Sequence, residues 1–101
     1  MGGFVDDFVL ISFTIYKDLL WVLGSVNNYP SIFKFDLNGN ILNLYNNKYY
    51  KIDIYNELNF EYTIPYDIKI MFGFIYVSIS SANNTHNLIL KINIENGKII
   101  N

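Results

Sequence analysis

The residue types that carry most enzymatic and metal chemistry are thinly spread along this chain. Its single histidine, His86, lies in a polar stretch between Ser80 and Asn87, flanked by Thr85 and Asn87. One imidazole without carboxylate or thiolate partners does not make a metal site, so His86 reads as a solvated loop residue. Asp6 and Asp7 are adjacent in sequence. On a strand, neighbouring side chains point to opposite faces, so the two cannot cooperate as a carboxylate pair there and read as solubilising charges. There is no cysteine, which excludes disulfides and thiolate metal sites. The segment Asp36-Leu37-Asn38-Gly39-Asn40 has the oxygen-rich look of a calcium loop. An EF-hand loop, however, needs glycine at its sixth position and an acidic residue at its twelfth. Here glycine comes fourth and the twelfth residue is Asn47, and the turn chemistry of Asn-Gly accounts for the segment. Gly24-Ser25 is not a nucleophile elbow, and no phosphate-binding or dinucleotide glycine pattern occurs. Asn83-Asn84-Thr85 fits the glycosylation acceptor pattern, which in a chain so rich in asparagine reads as coincidence. No catalytic residue, metal or cofactor is therefore predicted, and the chain reads as no enzyme.

Recognition through aromatic surfaces is the chemistry left. Trp21, Tyr16, Tyr29, Tyr45, Tyr49 and Tyr50 could form a platform for stacking a sugar. Trp21 reads instead as packing between sheets, because a second aromatic recurs at the matching place further on. Tyr49 and Tyr50, beside Asn46 and Asn47, read as the exposed pair. Net charge is −2, and the seven basic residues are lysines scattered from Lys17 to Lys98. Nucleic-acid binding thus lacks its basic footprint. The start, Met1-Gly2-Gly3-Phe4-Val5-Asp6-Asp7, has no basic region of the kind that opens a signal peptide. No apolar stretch approaches the ~20 residues needed to span a bilayer.

The elements that must position any such surface are strands. Hydrophobic residues make up 51% of the chain and aromatic ones 18%, while charged residues are only 16%. Isoleucine, tyrosine and phenylalanine suit a pleated, half-buried surface, and the scarcity of alanine deprives helices of their best former. Periodicity of two runs nearly throughout. It predicts strands over 8–16, 19–23, 31–36 and 41–45, a hairpin over about 49–64, and strands over 66–71, 74–80, 88–94 and 98–100. Asn38-Gly39 and Asn96-Gly97 mark hairpin turns, and Pro65 punctuates the chain. The whole reads as one all-β domain, complete or part of a larger one.

The chain also repeats itself. Phe13 to Val22, FTIYKDLLWV, aligns with Ile68 to Val77, IKIMFGFIYV. Phe13 then matches Ile68, Ile15 matches Ile70, Leu20 matches Ile75, Trp21 matches Tyr76 and Val22 matches Val77. After a polar loop, Ile32 to Asp36 meets Ile89 to Asn93, and Asn38 to Asn43 meets Asn96 to Asn101. The offset grows from 55 to 57 to 58 residues, as it would if the second copy had slightly longer loops. Two diverged copies, about 8–45 and 66–101, joined by the extra hairpin, are expected.

Leu20-Trp21-Val22, Phe33-Lys34-Phe35-Asp36 and Gly39, and again Ile75-Tyr76-Val77, Lys91-Ile92-Asn93 and Gly97, resemble the blade pattern of the NHL-like, six-bladed β-propeller family. The resemblance covers most of both copies and implies two antiparallel, four-stranded blades. The 49–64 segment departs from a plain blade, and a closed propeller needs four to eight blades. Three arrangements follow: part of a longer propeller, a ring of several copies, or two sheets packed as a small β-sandwich. The expected function is a binding or assembly scaffold whose partner is a protein or another copy of itself. Its alternatives are blades of a larger propeller lyase or hydrolase with catalytic residues elsewhere, and a self-associating structural sandwich. The propeller resemblance implies that loops joining second and third strands share one rim. Asn27, Asn28 and Tyr29 would then stand near Ser81, Asn83, Asn84 and His86 as the candidate ligand-binding edge.

Overall fold

In the computed structural model, which describes residues 8–52 and 62–100, the regular structure is all β. The first sheet is built from β1 (Phe8–Tyr16), β2 (Leu19–Val26), β3 (Tyr29–Asp36) and β4 (Ile41–Leu42), antiparallel in that order, with β5 (Tyr50–Lys51) also paired to β3. The second is β6 (Tyr62–Met71), β7 (Phe74–Ser81), β8 (Asn87–Asn93) and β9 (Ile99–Ile100), again antiparallel in chain order. The turn of the hairpin expected over 49–64 lies outside the described residues. Its described ends belong to different sheets, Tyr50 and Lys51 to the first, Tyr62 to the second.

Short turns keep neighbouring strands adjacent. Lys17-Asp18, Asn27-Asn28 and Phe72-Gly73 carry positive φ at both residues, the left-handed pairing whose twist matches that of the flanking strands. The Asn-Gly segments work differently from a two-residue turn, because only their glycines have positive φ, 89° at Gly39 and 76° at Gly97. The residue opening each loop closes it with its side chain. Asp36 Oδ1 accepts from the backbone N–H groups of Asn38 and Asn40, both at 2.9 Å, and Asn93 Oδ1 accepts from Glu95 N at 2.7 Å. Such side-chain-to-backbone bonds mimic a turn of the main chain. Pro65, instead of ending a strand, lies within β6. That strand is an edge, and its register shifts on both sides of the proline, the setting in which a sheet tolerates a residue without an N–H.

The two sheets pack face to face. Trp21, Leu23, Ile32, Leu44 and Ile52 of the first segment share one buried core with Ile68, Ile75, Val77, Ile79, Leu90 and Ile92 of the second. β6 lies against β1, β2 and β3. The opposite face of the first sheet holds a smaller cluster of Val22, Val26 and Phe33. The rings of Phe8 and Tyr49 flank Phe33 at centroid distances of 4.7 and 5.0 Å and cover the β3 side of that face.

Candidate functional site

Strand alternation decides which side chains are available. On the face of the first sheet turned away from the core, Phe13 pairs with Val22 and Ile15 with Leu20. Val22 is buried, whereas Phe13 is 58% and Ile15 61% exposed. Leu10, paired with Gly24 on that side, is 55% exposed. The β1 edge of this face is therefore an open apolar strip, beside the part covered by Phe8 and Tyr49. On the outward face of the second sheet, Lys69 pairs with Tyr76, Tyr76 with Lys91, and Ser78 with Ile89. Ile89 is 73% exposed. A hollow of about 210 Å³ lies among Asp67, Lys69, Tyr76, Ser78 and Ile89. A second hollow, bordered by Tyr66 and Asn87, shares Ser78 and Ile89 with it.

A groove of about 620 Å³ opens between the sheets at the end bearing the Lys17-Asp18 and Phe72-Gly73 turns, lined in part by Tyr16, Lys17, Trp21, Lys34, Tyr45 and Glu95. Trp21 is 4% exposed and its indole N–H has no hydrogen-bond partner among the described residues. The Lys34 ammonium stands 5.5 Å from the indole ring centre. Tyr45 reaches across the groove, and its Oη donates to the backbone carbonyl of Ile94 at 2.9 Å, with that of Asn93 at 3.3 Å. Burial, and after it the charges of Tyr50 and Glu95, push the Tyr45 phenol up to about 12. The Tyr45 ring also explains a glycine, since a Cβ on Gly97 would stand 2.6 Å from it. At the far corner of the contact between sheets, Ser12 Oγ donates to Asp67 Oδ1 at 2.9 Å.

The groove brings the turn end of the first sheet onto the turn end of the second, so the loops joining β2 to β3 and β7 to β8 lie toward the opposite end of the stack. Asn27 and Asn28 form the tight turn there, exposed, and Tyr29 beside them is 49% exposed with the Lys51 ammonium 4.0 Å from its ring centre. Ser81 is buried, and its hydroxyl donates to Asn83 Oδ1 at 2.9 Å. Thr85 Oγ1 donates to the same oxygen at 2.6 Å and stands 2.9 Å from His86 Nδ1. Asn84 Oδ1 accepts from the hydroxyls of Tyr66 and Ser80. The side-chain oxygens of Asn83 and Asn84 are thus engaged in shaping the loop, while residues 82–87 of this loop and Asn27, Asn28 and Tyr29 of the other are all exposed.

Tyr49 and Tyr50 are not the exposed pair that their polar neighbours suggest. Both are half-buried, Tyr49 stacked on Phe33 and Tyr50 edge-on to Tyr45 at 5.3 Å. Trp21 packs between the sheets. Among the described residues no three histidine or acidic side chains cluster as a metal site, and no helix is long and apolar enough to cross a membrane. Sequence reasoning passed over the strip of Leu10, Phe13 and Ile15, although its signal was present: 8–11 is apolar at every position, and Phe13 and Ile15 then alternate with the polar Ser12 and Thr14. Comparison with known proteins returns no matching family model, no similar curated protein and no similar solved structure.

Proposed function

We propose that this chain is a non-catalytic β-repeat module of propeller-like build that serves as a binding or assembly scaffold. The observation that carries the reading is the sense in which the sheets stack. Seven positions of the first copy, Phe13, Ile15, Leu20, Val22, Phe33, Phe35 and Ile41, lie on its outward face. Their sequence-aligned counterparts, Ile68, Ile70, Ile75, Val77, Leu90, Ile92 and Ile99, lie on the face the second sheet turns toward the first. The sheets are therefore stacked front to back, as neighbouring blades are, and not front to front. Further features point the same way. Ser12 and Asp67, hydrogen-bonded to one another, occupy aligned positions. The register shifts of β1 between Leu10 and Ser12 and of β6 between Pro65 and Asp67 coincide on alignment. Asp36 and Asn93, which close the loops after the third strand of each copy, are also counterparts. In this reading the edge with Tyr29 and His86 is the rim on which a partner or a small ligand is held.

The absence of cysteine makes the stacking sense easy to test. A chain carrying Ser12→Cys and Asp67→Cys should be cross-linked internally and quantitatively by a short bifunctional thiol reagent such as dibromobimane. An Ile89→Cys and Asp67→Cys control reports reaction across the outer face. Failure of the 12–67 link in a chain that is β-rich by circular dichroism overturns the blade-like module.

A further inference from the structure

Among the described residues, front-to-back stacking leaves a front without a back at one end and a back without a front at the other. We infer that the front of the first sheet (Leu10, Phe13, Ile15) docks on the back of the second sheet (Lys69, Tyr76, Ser78, Ile89, Lys91) of another copy of this chain, so that copies add head to tail. The inference rests on the repeat-module reading and deepens it.

The chain already contains this interface once. In the internal contact the strand laid against the neighbouring sheet is β6, whose counterpart is β1. The residues through which β6 makes that contact are Ile68, 1% exposed, and the half-buried Ile70. Their counterparts on β1, Phe13 and Ile15, are 58% and 61% exposed. The receiving surface shows the same inversion. Ile32 lies in the internal contact at 0% exposure, and its counterpart Ile89 stands out at 73%. Trp21 paired with Lys34 in the first sheet is matched by Tyr76 paired with Lys91 in the second. Phe13, Ile15 and Ile89, left open on these two faces, are thus the counterparts of Ile68, Ile70 and Ile32, which the chain packs between its own sheets.

Where the faces differ from the internal pair, they differ in compensating directions. The front carries phenylalanine at 13 where the internal contact uses Ile68. The back carries serine at 78 where the internal contact uses Leu23, and beside Ser78 lies the hollow of about 210 Å³. A larger knob faces a larger hole. Phe8 and Tyr49 cover Phe33 on β3, and the Phe8 ring also lies over Gly24, whereas Phe13 and Ile15 further along β1 stand open. The contact joins two different surfaces, so it forms a ring if the rotation per copy closes and a filament if it does not.

The test uses two variants at exposed positions, Phe13→Asp on the front and Ile89→Asp on the back, with circular dichroism to establish that both fold. Light scattering of the wild-type chain should give masses above 11.8 kDa that rise with concentration or settle at a closed assembly. Each variant alone should be monomeric, because a desolvated carboxylate raises the dissociation constant by more than about 100-fold. An equimolar mixture of the two should form a discrete dimer, since the intact back of one chain meets the intact front of the other. A monomeric wild type, an Ile89→Asp chain that still assembles, or a mixture that does not associate overturns the inference. The 12–67 cross-link separates this failure from that of the module itself.

Discussion

Truncating aligned residues gives the stacking its sharpest energetic signature. Ile32 and Ile89 are counterparts of the same type, so their intrinsic strand preferences cancel, and only their surroundings differ. Ile32 is 0% and Ile89 73% exposed. Removing a fully buried isoleucine to alanine costs about 2–5 kcal/mol, the lost burial plus the cavity left behind. The same change on an open surface stays within about 0.5 kcal/mol. For a domain of this size 1 kcal/mol moves the melting temperature by roughly 4–8 °C. Taking ~3 kcal/mol for Ile32→Ala, the midpoint should fall by roughly 12–24 °C, and for Ile89→Ala by no more than about 4 °C. In urea, with a slope of about 1–3 kcal/mol/M, the first shift is ~1–3 M. Measurements belong at concentrations where light scattering finds monomer, so that assembly does not add to the Ile89 value. Should Ile32→Ala fail to fold, Ile32→Val, at about 0.5–1.5 kcal/mol, preserves the comparison. The pair Phe13 and Ile68 supplies the reverse case, the second copy's residue being the costly one. Equal losses within either pair would refute front-to-back stacking.

Three further outcomes follow from the turns and the groove. Hydrogen bonds from the Asn40 side chain, then from its backbone, hold the Asp36 carboxyl below its ordinary value of 3.8. A depressed folded value gives stability that is present above about pH 4 and lost as pH falls through the folded value. Asp36→Asn should keep the loop, as Asn93 does at the aligned position, while acid denaturation scans lose that component; an unchanged acid limb would refute the assignment. Tyr45, raised to about 12, contributes stability present below about pH 10 and lost as pH rises toward 12. Tyr45→Phe should remove that alkaline loss and cost about 0.5–1.5 kcal/mol at neutral pH in urea titrations. Trp21→Phe should cost far less than Trp21→Ala, at about 3–5 kcal/mol, because the indole N–H it deletes has no partner among the described residues; comparable losses would mean that the N–H is bonded.

The sequence makes the strand order legible because the signals are local. Period-two alternation and the positive-φ turn residues decide which strands are neighbours, and both meanders follow. Asn27-Asn28, read only as part of a polar loop, proves to be a two-residue turn, so β2 and β3 run to Val26 and from Tyr29. Asparagine tolerates left-handed backbone well enough to replace the glycine such turns favour. What alternation cannot say is which apolar face meets which. The first sheet is apolar on both sides, with Trp21 and Leu23 on one and Leu20 and Val22 on the other. Choosing between them requires the partner sheet. The aromatic environments fail for a related reason. Tyr49 and Tyr50 sit beside polar residues in sequence, yet their rings are held by Phe33 and Tyr45, which are distant along the chain.

The edges of the sheets bear on the inferred head-to-tail docking of copies. A long, flat edge strand invites backbone pairing with another chain. Here β4 and β9 are two residues long and β1 and β6 carry register shifts, which are two of the devices that blunt an edge. Growth by edge pairing is therefore disfavoured while both faces remain open, and the two modes leave different marks. Edge pairing would protect the outer backbone amides of β4, β9 or β1 from exchange by adding a ladder. Face stacking buries side chains and adds no backbone hydrogen bonds. On raising the concentration from monomer to assembly, amide exchange in β4 and β9 should stay as it is. Methyl resonances of Leu10, Ile15 and Ile89 should shift together. New protection confined to an edge strand, with those methyls unmoved, would show that copies join through their ladders and that the exposed front and back are not docking faces.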